Sequence, residues 1–316
     1  MLHLTRSCLP PSPAPLRLAT TLRAAAADHD NQTTLLPADH YSSPFHRLEL
    51  QDLWDGLGRL RMRQHVNPLR IEFQTVTGPL DWAAEFKDPS RPLVLDLGCG
   101  PGRFLLLMHH AQPQDYKDCN FLGVEIREQL VGRANEWAER LGFKGKVVYV
   151  HANATVSLAS MLATYPGPVQ LVCVQFPDPH FKRKHWKRRM LQPEAVEDIV
   201  RLLPPGGKLF LQTDVEVVAV ALRDVVEQHA FHAFTLAPQH TPSAVFMTEP
   251  RQPSVGSSSG GCPSDEEAEE GEGSGFQSQW ALGGWLADNP LGVPTEREHM
   301  VTQRGLPVYR MLLVKR

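Results

Sequence analysis

Two prolines enclose one aspartate, Asp178, in the segment QFPDPHFKRKHWKRR (175–189). Since proline fixes its own φ angle, the backbone on either side is stiff and the carboxylate is held in one place. The apolar run VQLVCVQF (169–176) before it is predicted to be a strand covered on both faces. Ligands of open α/β sheets bind at the carboxyl ends of such strands, so Asp178 is a candidate catalytic residue.

Six cations then occupy the eight residues 182–189. Such density suits a phosphate backbone, so we expect nucleic acid as a partner. A solvated charged loop would be the better interpretation of this run alone, but its place beside Asp178 favours binding. The formal net charge of −3 hides this cluster, because seven acids and one base fall between residues 248 and 279. The expected phosphate contacts are Arg183, Lys184, Lys187, Arg188 and Arg189, with Lys182 at the start of the run.

A glycine-rich turn, LDLGCGPG (95–102), follows the first predicted strand. Its glycines, Gly98, Gly100 and Gly102, allow a tight turn that brings backbone N–H groups close to a ligand. Dinucleotide-binding turns carry their third glycine one position later, and the carboxylate of Asp96 would repel a pyrophosphate. A cofactor with a cationic amino group and a sulfonium fits better. A turn without a ligand is the alternative.

Polar residues also end the next two predicted strands. Glu125 closes FLGVEI (121–126) and is placed to accept hydrogen bonds from both ribose hydroxyls of an adenosine. Asn153 follows KVVYV (146–150), where its amide could meet an adenine edge or cap a helix, and the residue alone does not separate these two readings.

Two more segments with acidic residues lie next to later strands, one at the end of the fifth strand and one before the last strand. Asp214 ends the fifth strand in QTD (212–214). The segment Thr295, Glu296, Arg297 and Glu298 lies just before the last strand, and in isolation it is better interpreted as a helix cap with first-turn acids.

Strands and helices alternate from Pro92 onward. This pattern predicts an α/β fold, a doubly wound Rossmann-like sheet of about seven strands, mostly parallel with an antiparallel last strand. The remaining strands are predicted at 93–97, 207–213, 231–237 and 308–314. Helices are expected from Gly102, after 126, after Pro193 and over 215–229, and leucine spacing predicts one more from His46 to about Val66, which Pro68 ends.

The segments outside this pattern are predicted to be disordered. Residues 1–45 carry little periodicity, and residues 1–27 hold three arginines and no acid, which is typical of an organellar transit peptide; a plain disordered tail is the alternative. A Gly/Ser-rich acidic insertion at about 250–278 has no apolar period. The five cysteines form no CxxC pair, so we expect no metal, and no apolar run is long enough for a membrane helix.

Together, LDLGCGPG, FLGVEIR, FPDPHFKRKH, QTD and TERE, in that order, resemble the tRNA (guanine-N7)-methyltransferase family of the TrmB type, and RQHVNPL (63–69) is similar to its plant and cyanobacterial branch. The resemblance runs from about Leu93 to Lys315, broken by the acidic insertion, which is not a general family feature. It implies a methyltransferase domain over 46–316 that uses S-adenosyl-L-methionine and methylates a guanosine in the variable loop of tRNA. It also implies a chloroplast location, with mitochondrion or cytoplasm as alternatives, and activity without an obligate partner subunit.

Carried over by position, the resemblance assigns site residues. Asp178 matches the catalytic aspartate, and Lys182, Asp214, Thr295, Glu296, Arg297 and Glu298 match substrate contacts. The residues expected to hold the cofactor are Asp96, Gly98, Gly100, Gly102, Glu125, Ile126, Arg127, Asn153 and Ala154.

Guanine N7 has an in-plane lone pair and no proton, so it can attack a methyl group without a base. The enzyme then needs to align N7 with the methyl group and the sulfur and to place negative charge near the positive charge that develops on the ring. Carboxylates can do both. Alternatives are a methyltransferase of another RNA or a small molecule, a non-catalytic tRNA-binding subunit, and a nicotinamide-dependent dehydrogenase.

Overall fold

Seven strands form one sheet in the computed structural model, which describes residues 43–50, 66–180, 182–240 and 276–316. The strands are β1 (Leu93–Leu97), β2 (Asn120–Glu125), β3 (Val147–His151), β4 (Val169–Gln175), β5 (Lys208–Thr213), β6 (Phe234–Leu236) and β7 (Tyr309–Lys315). Their order across the sheet is β3-β2-β1-β4-β5-β7-β6, and β7 runs antiparallel to both of its neighbours, β5 and β6. The predicted fold class is confirmed.

Helices follow most of these strands. They are α1 (Trp82–Glu85), α2 (Arg103–Ala111), α3 (Glu128–Arg140), α4 (Ala154–Leu162), α5 (Pro193–Leu202), α6 (Glu216–Ala230) and α7 (Glu296–Gln303). Pro193 begins α5, as its fixed φ angle favours at a first helical position. The short helix α1 was not predicted, because four residues are too few to show an apolar period.

Apolar side chains cover both faces of the sheet. All five residues of β1 are buried. Leu93, Leu95 and Leu97 contribute to one core cluster, whereas Val94 packs in the other with Phe121. Because both faces are covered, the edge formed by the carboxyl ends of the strands is the expected place for a ligand.

Two predicted elements differ from those observed. The sixth strand is limited to Phe234–Leu236, because Phe231 instead turns outward and packs near Trp280, with ring centroids 5.9 Å apart. The helix predicted from His46 is wrong at its start: a 3₁₀ turn, Pro44–Leu48, ends at Glu49, whose φ of 54° breaks a right-handed helix.

Phe45 in this turn is 4% exposed, so packed structure begins before the predicted boundary at residue 46. The rest of the predicted leader, the part of the predicted helix that falls on 51–65 and most of the acidic insertion lie outside the described residues. Within the described ranges, no helix is both long and apolar enough to cross a membrane.

Candidate active site

A cleft of about 790 Å³, partly open to solvent, lies at the carboxyl ends of β1 to β4. Most of the predicted cofactor residues line it together with the predicted catalytic aspartate: Gly98, Glu125, Ile126, Arg127, Asn153, Ala154 and Asp178. Asp96, Gly100 and Gly102 do not line it. The strands therefore bring residues from four separate segments to one place, as parallel strand ends require.

The glycine-rich turn shapes one wall of the cleft. Gly98, Gly100 and Gly102 all have positive φ angles, from 55° to 79°, which non-glycine residues rarely adopt. A Cβ atom at Gly102 would also lie 2.5 Å from the Tyr149 ring, whose hydroxyl donates a hydrogen bond to the Gly102 carbonyl. Gly102 is thus required for packing behind the cleft, whereas Gly98 faces the cleft itself.

Glu125 is 3% exposed and accepts several hydrogen bonds. The backbone N–H of Gly100 donates to Oε2 at 2.9 Å, and the backbone and side chain of Arg127 donate to Oε1 at 3.0 and 2.8 Å. Burial lowers the pKa of Arg127, but its hydrogen bond to Glu125 and the charges of Glu125 and Asp178 outweigh this and raise it. A diol that binds Glu125 must therefore displace Arg127, whose side chain is 29% exposed and has room to move.

Asp96 lies in the protein interior, with 3% of its surface exposed. Gln175 donates a hydrogen bond to it at 3.2 Å. Burial raises the pKa of Asp96 to about 7, and the nearby charge of Glu125 adds to the effect. Its carboxyl group thus supports the cleft from behind.

Asn153 uses both ends of its amide inside the protein. Its Oδ1 accepts hydrogen bonds from the N–H and hydroxyl of Thr155 at 3.1 and 2.8 Å and so caps α4. Its Nδ2 donates to the carbonyls of Pro68 and Phe73 at 3.3 and 3.0 Å. Of the two roles left open by the sequence, the cap is observed, together with an unpredicted tether to the segment 66–74.

Asp178 lies in a loop with strained backbone on both sides. Phe176 and His180 have φ angles of 48° and 40°, which cost non-glycine residues about 1–2 kcal/mol each. The N–H of Phe176 donates to the Gln212 carbonyl of β5 at 2.8 Å, which holds the loop against the sheet. Strain of this kind persists only where the surrounding structure fixes it, and it is concentrated at functional sites.

The cationic run folds into a 3₁₀ turn, Arg183–Arg188, that was not predicted. Lys182, Lys184 and Lys187 are exposed, and Trp186 is 43% exposed. The guanidinium of Arg189 stacks 5.0 Å from the centre of the Trp186 ring and donates to the His180 carbonyl at 3.5 Å. Arg188 differs from these cations because it lines the cleft.

The second group of predicted substrate contacts lies away from the cleft and has partners within the protein. Arg297 pairs with Asp214 at 2.5 Å, and Glu296 pairs with Arg103. Thr295 and Glu298 form a reciprocal capping box at the start of α7. The cap that the sequence favoured in isolation is observed, and contact with a substrate stays a prediction for these residues.

Glu298 is part of a buried polar chain. Its carboxylate accepts hydrogen bonds from Arg310 at 2.8 Å, Asn289 at 2.7 Å and Gln212 at 3.2 Å. Gln212 also donates to Gln175 at 2.7 Å, and Gln175 donates to Asp96. This chain of hydrogen bonds thus runs from α7 across the sheet to Asp96 in β1, behind the cleft.

Several residues of the cleft wall were missed by the sequence analysis. Val66 and Pro68 come from the RQHVNPL segment, whose only signal was its resemblance to one branch of a family. The others lie beside predicted residues in the sequence and are Leu97, Val124, Ala152, Thr155, Gln175, Phe176, Pro177, His180 and Met190. Among the described residues, no group of three or more His, Cys, Asp or Glu could hold a metal ion.

Comparisons with known proteins agree on one family. A family described as putative methyltransferase matches residues 90–253. A tRNA (guanine-N(7)-)-methyltransferase of a Synechocystis species is 40% identical over 257 residues, which is 81% of this chain and 98% of the relative. A protein of the same name from a Synechococcus species is 40% identical over 84% of this chain and 89% of its own length.

Among solved structures, an rRNA methylase from Streptococcus thermophilus is 15% identical. It covers 49% of this chain and 79% of its own with a TM-score of 0.34, a likeness too distant to carry an argument.

Proposed function

The chain belongs to the tRNA (guanine-N(7)-)-methyltransferase family, and we propose that it transfers a methyl group to N7 of a guanosine in tRNA at the cleft around Asp178. The observation that carries the proposal is 40% identity over nearly the full length of relatives with that name. The predicted catalytic aspartate and most of the predicted cofactor residues also share one cleft.

S-Adenosylmethionine fits the residues of this cleft. Gly98 leaves the wall open where a side chain would narrow it, and Glu125 offers a buried carboxylate to a ribose diol. Ala152, Ala154 and Pro68 supply apolar surface for a flat adenine ring. When bound, this cofactor supplies an electrophilic methyl group.

Asp178 then has two tasks in the transfer. Its carboxylate can accept hydrogen bonds from N1–H and the N2 amino group of guanine, a donor pattern that adenine lacks. Its negative charge also stabilises the positive charge that develops on the ring as N7 is methylated. Because N7 carries no proton, Asp178 orients and stabilises and does not act as a base. Asp214 is less suited to the same task, since Arg297 already holds it outside the cleft.

The outer side of the 3₁₀ turn is the proposed site for the tRNA backbone. Lys182, Lys184 and Lys187 are exposed, with no acidic residue in the turn, and they can neutralise phosphates without reading sequence. The adjacent exposed face of Trp186 adds a surface on which an unstacked base can rest.

A direct experiment tests the activity. Purified protein is incubated with S-adenosylmethionine and unmodified tRNA transcripts, and the modified nucleosides are then mapped. We expect 7-methylguanosine at a single position in the variable loop, formed by this chain alone. A different methylated nucleoside, or methylation that requires a second subunit, would contradict the corresponding part of the proposal.

A chloroplast location remains the expectation from residues 1–27, and the cyanobacterial origin of the relatives supports a plastid over a mitochondrion. A fluorescent protein fused to residues 1–45 should accumulate in plastids. Retention of this fusion in the cytosol would contradict the expectation.

A further inference from the structure

Arg188 is the one cation of residues 184–189 that lines the cleft, and its position distinguishes it from the rest of the turn. Lys184 and Lys187 are exposed, and the Arg189 guanidinium stacks on Trp186. Arg188 is partly buried, and its Nε is buried without a hydrogen-bond partner in the part of the chain that the structure describes. A buried N–H of a charged group without a partner is costly, which indicates that a ligand completes it.

Arg188 and Met190, on either side of Arg189, both line the cleft. Met190 lines the cleft and packs over Gly98, where an added Cβ would lie 3.2 Å from the Met190 methyl group. Arg188 therefore lines the same cleft as Gly98, Met190 and Asp178.

Two cations and two carboxylates line this cleft. Arg127 binds Glu125 at 2.8 Å, and the charge of Asp178 also helps to raise the pKa of Arg127, so both carboxylates interact with this one arginine. Arg188 has no ion pair with a described residue, so it adds a positive charge that a ligand can neutralise. A guanidinium matches the two oxygens of a carboxylate, which it can bind with two parallel hydrogen bonds.

We propose that Arg188 binds the α-carboxylate of the amino-acid part of S-adenosylmethionine, which is the only anionic group of that cofactor. The proposal rests on the proposed use of this cofactor in the cleft. The adenosine would then lie at the Glu125 and Asn153 end, and the amino acid would lie between Gly98 and Arg188. Arg188 would serve the cofactor, and only its outward neighbours would serve the tRNA.

A matched pair of ligands tests this assignment. S-Adenosylmethionine and decarboxylated S-adenosylmethionine differ by the carboxylate alone, and calorimetric titration gives the affinity of each for the wild type and for Arg188→Gln. We expect the wild type to prefer the carboxylated ligand and Arg188→Gln to bind it roughly ten- to a hundredfold more weakly. The affinity for the decarboxylated ligand should stay within about twofold, so the preference disappears.

Lys187→Gln is the matched control, because it removes an exposed cation from the same turn. It should leave both cofactor affinities unchanged and weaken tRNA binding, whereas Arg188→Gln should leave tRNA binding close to that of the wild type. If Arg188→Gln kept the preference for the carboxylate and reduced the salt dependence of tRNA binding, Arg188 would be a phosphate contact and the proposal would be wrong.

Two further outcomes separate the proposed cofactor from the proposed role of Arg188. If the wild type bound neither ligand, the proposed cofactor itself would be refuted, whereas a preference that survives in Arg188→Gln refutes only the role of Arg188. If Arg188→Gln gave no cooperative thermal unfolding, Arg188→Met decides, since it keeps an apolar stem and loses the charge. A preference in Arg188→Met equal to that of the wild type would overturn the proposal.

Discussion

The two halves of this sheet's carboxyl edge use their carboxylates in different ways. Around β1 to β4, Glu125 and Asp178 line a cleft of about 790 Å³. Around β5 and β7, Asp214, Glu296 and Glu298 each pair with an arginine of the protein. The difference shows that an acid at a strand end or helix start does not by itself mark a ligand site, because an arginine from elsewhere in the fold can occupy it.

The cleft carboxylates also have an arginine nearby: Arg127 binds Glu125, and the charge of Asp178 helps to raise the pKa of Arg127. Arg127 is two residues away from Glu125 and its side chain is 29% exposed, whereas the Arg310 side chain beside Glu298 is 7% exposed. The first pair can open for a ligand, and the second cannot open without exposing the core. We therefore expect substitutions in the cleft to change binding and catalysis, and substitutions around Glu298 to change stability.

The largest effect is expected for Glu298→Ala, which leaves the buried guanidinium of Arg310 without its carboxylate partner. It should lower the free energy of unfolding by about 3–5 kcal/mol, as measured by urea denaturation. Arg297→Ala is the control, because its pair with Asp214 is half exposed on the arginine side and should contribute less than about 1 kcal/mol. If Glu298→Ala were as stable as the wild type but had lost methylation, the region around Glu298 would be a substrate site. The two halves of the carboxyl edge would then not differ in this way.

Asp178→Ala should lower the methylation rate at saturating tRNA by roughly 10²–10³-fold, because it removes both orientation and negative charge. Affinity for S-adenosylmethionine should change little, and so should the melting temperature. Asp178→Asn keeps an acceptor but no charge, so its residual rate separates the two contributions. Near-normal turnover of Asp178→Ala would show that the cleft carboxylate is not catalytic.

Asp96 gives a smaller, pH-dependent effect. Its raised pKa means that the folded state binds the proton more tightly than the unfolded state, for which the model value is 3.8. Its contribution to stability is therefore complete below that value and is lost as the pH rises through about 7. Asp96→Asn, which still accepts from Gln175, removes this loss, and it should gain about 2 kcal/mol relative to the wild type between about pH 5.5 and about pH 8, because each pH unit below the folded pKa corresponds to about 1.4 kcal/mol. If the difference in melting temperature between Asp96→Asn and the wild type did not vary with pH, the prediction would be wrong.

The smallest effect is expected for Asn153→Ala, which removes the cap of α4 and the tether to Pro68 and Phe73. Loss of the cap should cost about 1 kcal/mol. Amide hydrogen exchange should become faster over residues 66–74. Ser157→Ala is the control, because it releases only the N–H of Thr77, which donates to Ser157 Oγ at 3.1 Å. Unchanged exchange together with weaker cofactor binding would indicate that Asn153 contacts the ligand directly.

Local patterns in the sequence were sufficient for the sheet and for the main cleft residues. The apolar run 93–97 coincides with β1, and the other central strands begin and end within one residue of their predicted bounds. Once the strands are known, parallel pairing places the residues after β1, β2, β3 and β4 at one edge, so Gly98, Glu125, Asn153 and Asp178 come together.

Only the tertiary structure decided which polar residues remain available to a ligand. Asn153 reaches Pro68 across 85 residues, Gln212 reaches Glu298 across 86, and Arg103 reaches Glu296 across 193. No local period encodes such contacts, because each depends on how distant elements pack. The sequence by itself determined where the strands end and which chemical groups stand there. The packing of α7, β7 and the segment 66–74 decided which of those groups are held away from the cleft and which, like Asp178 and Arg188, line it.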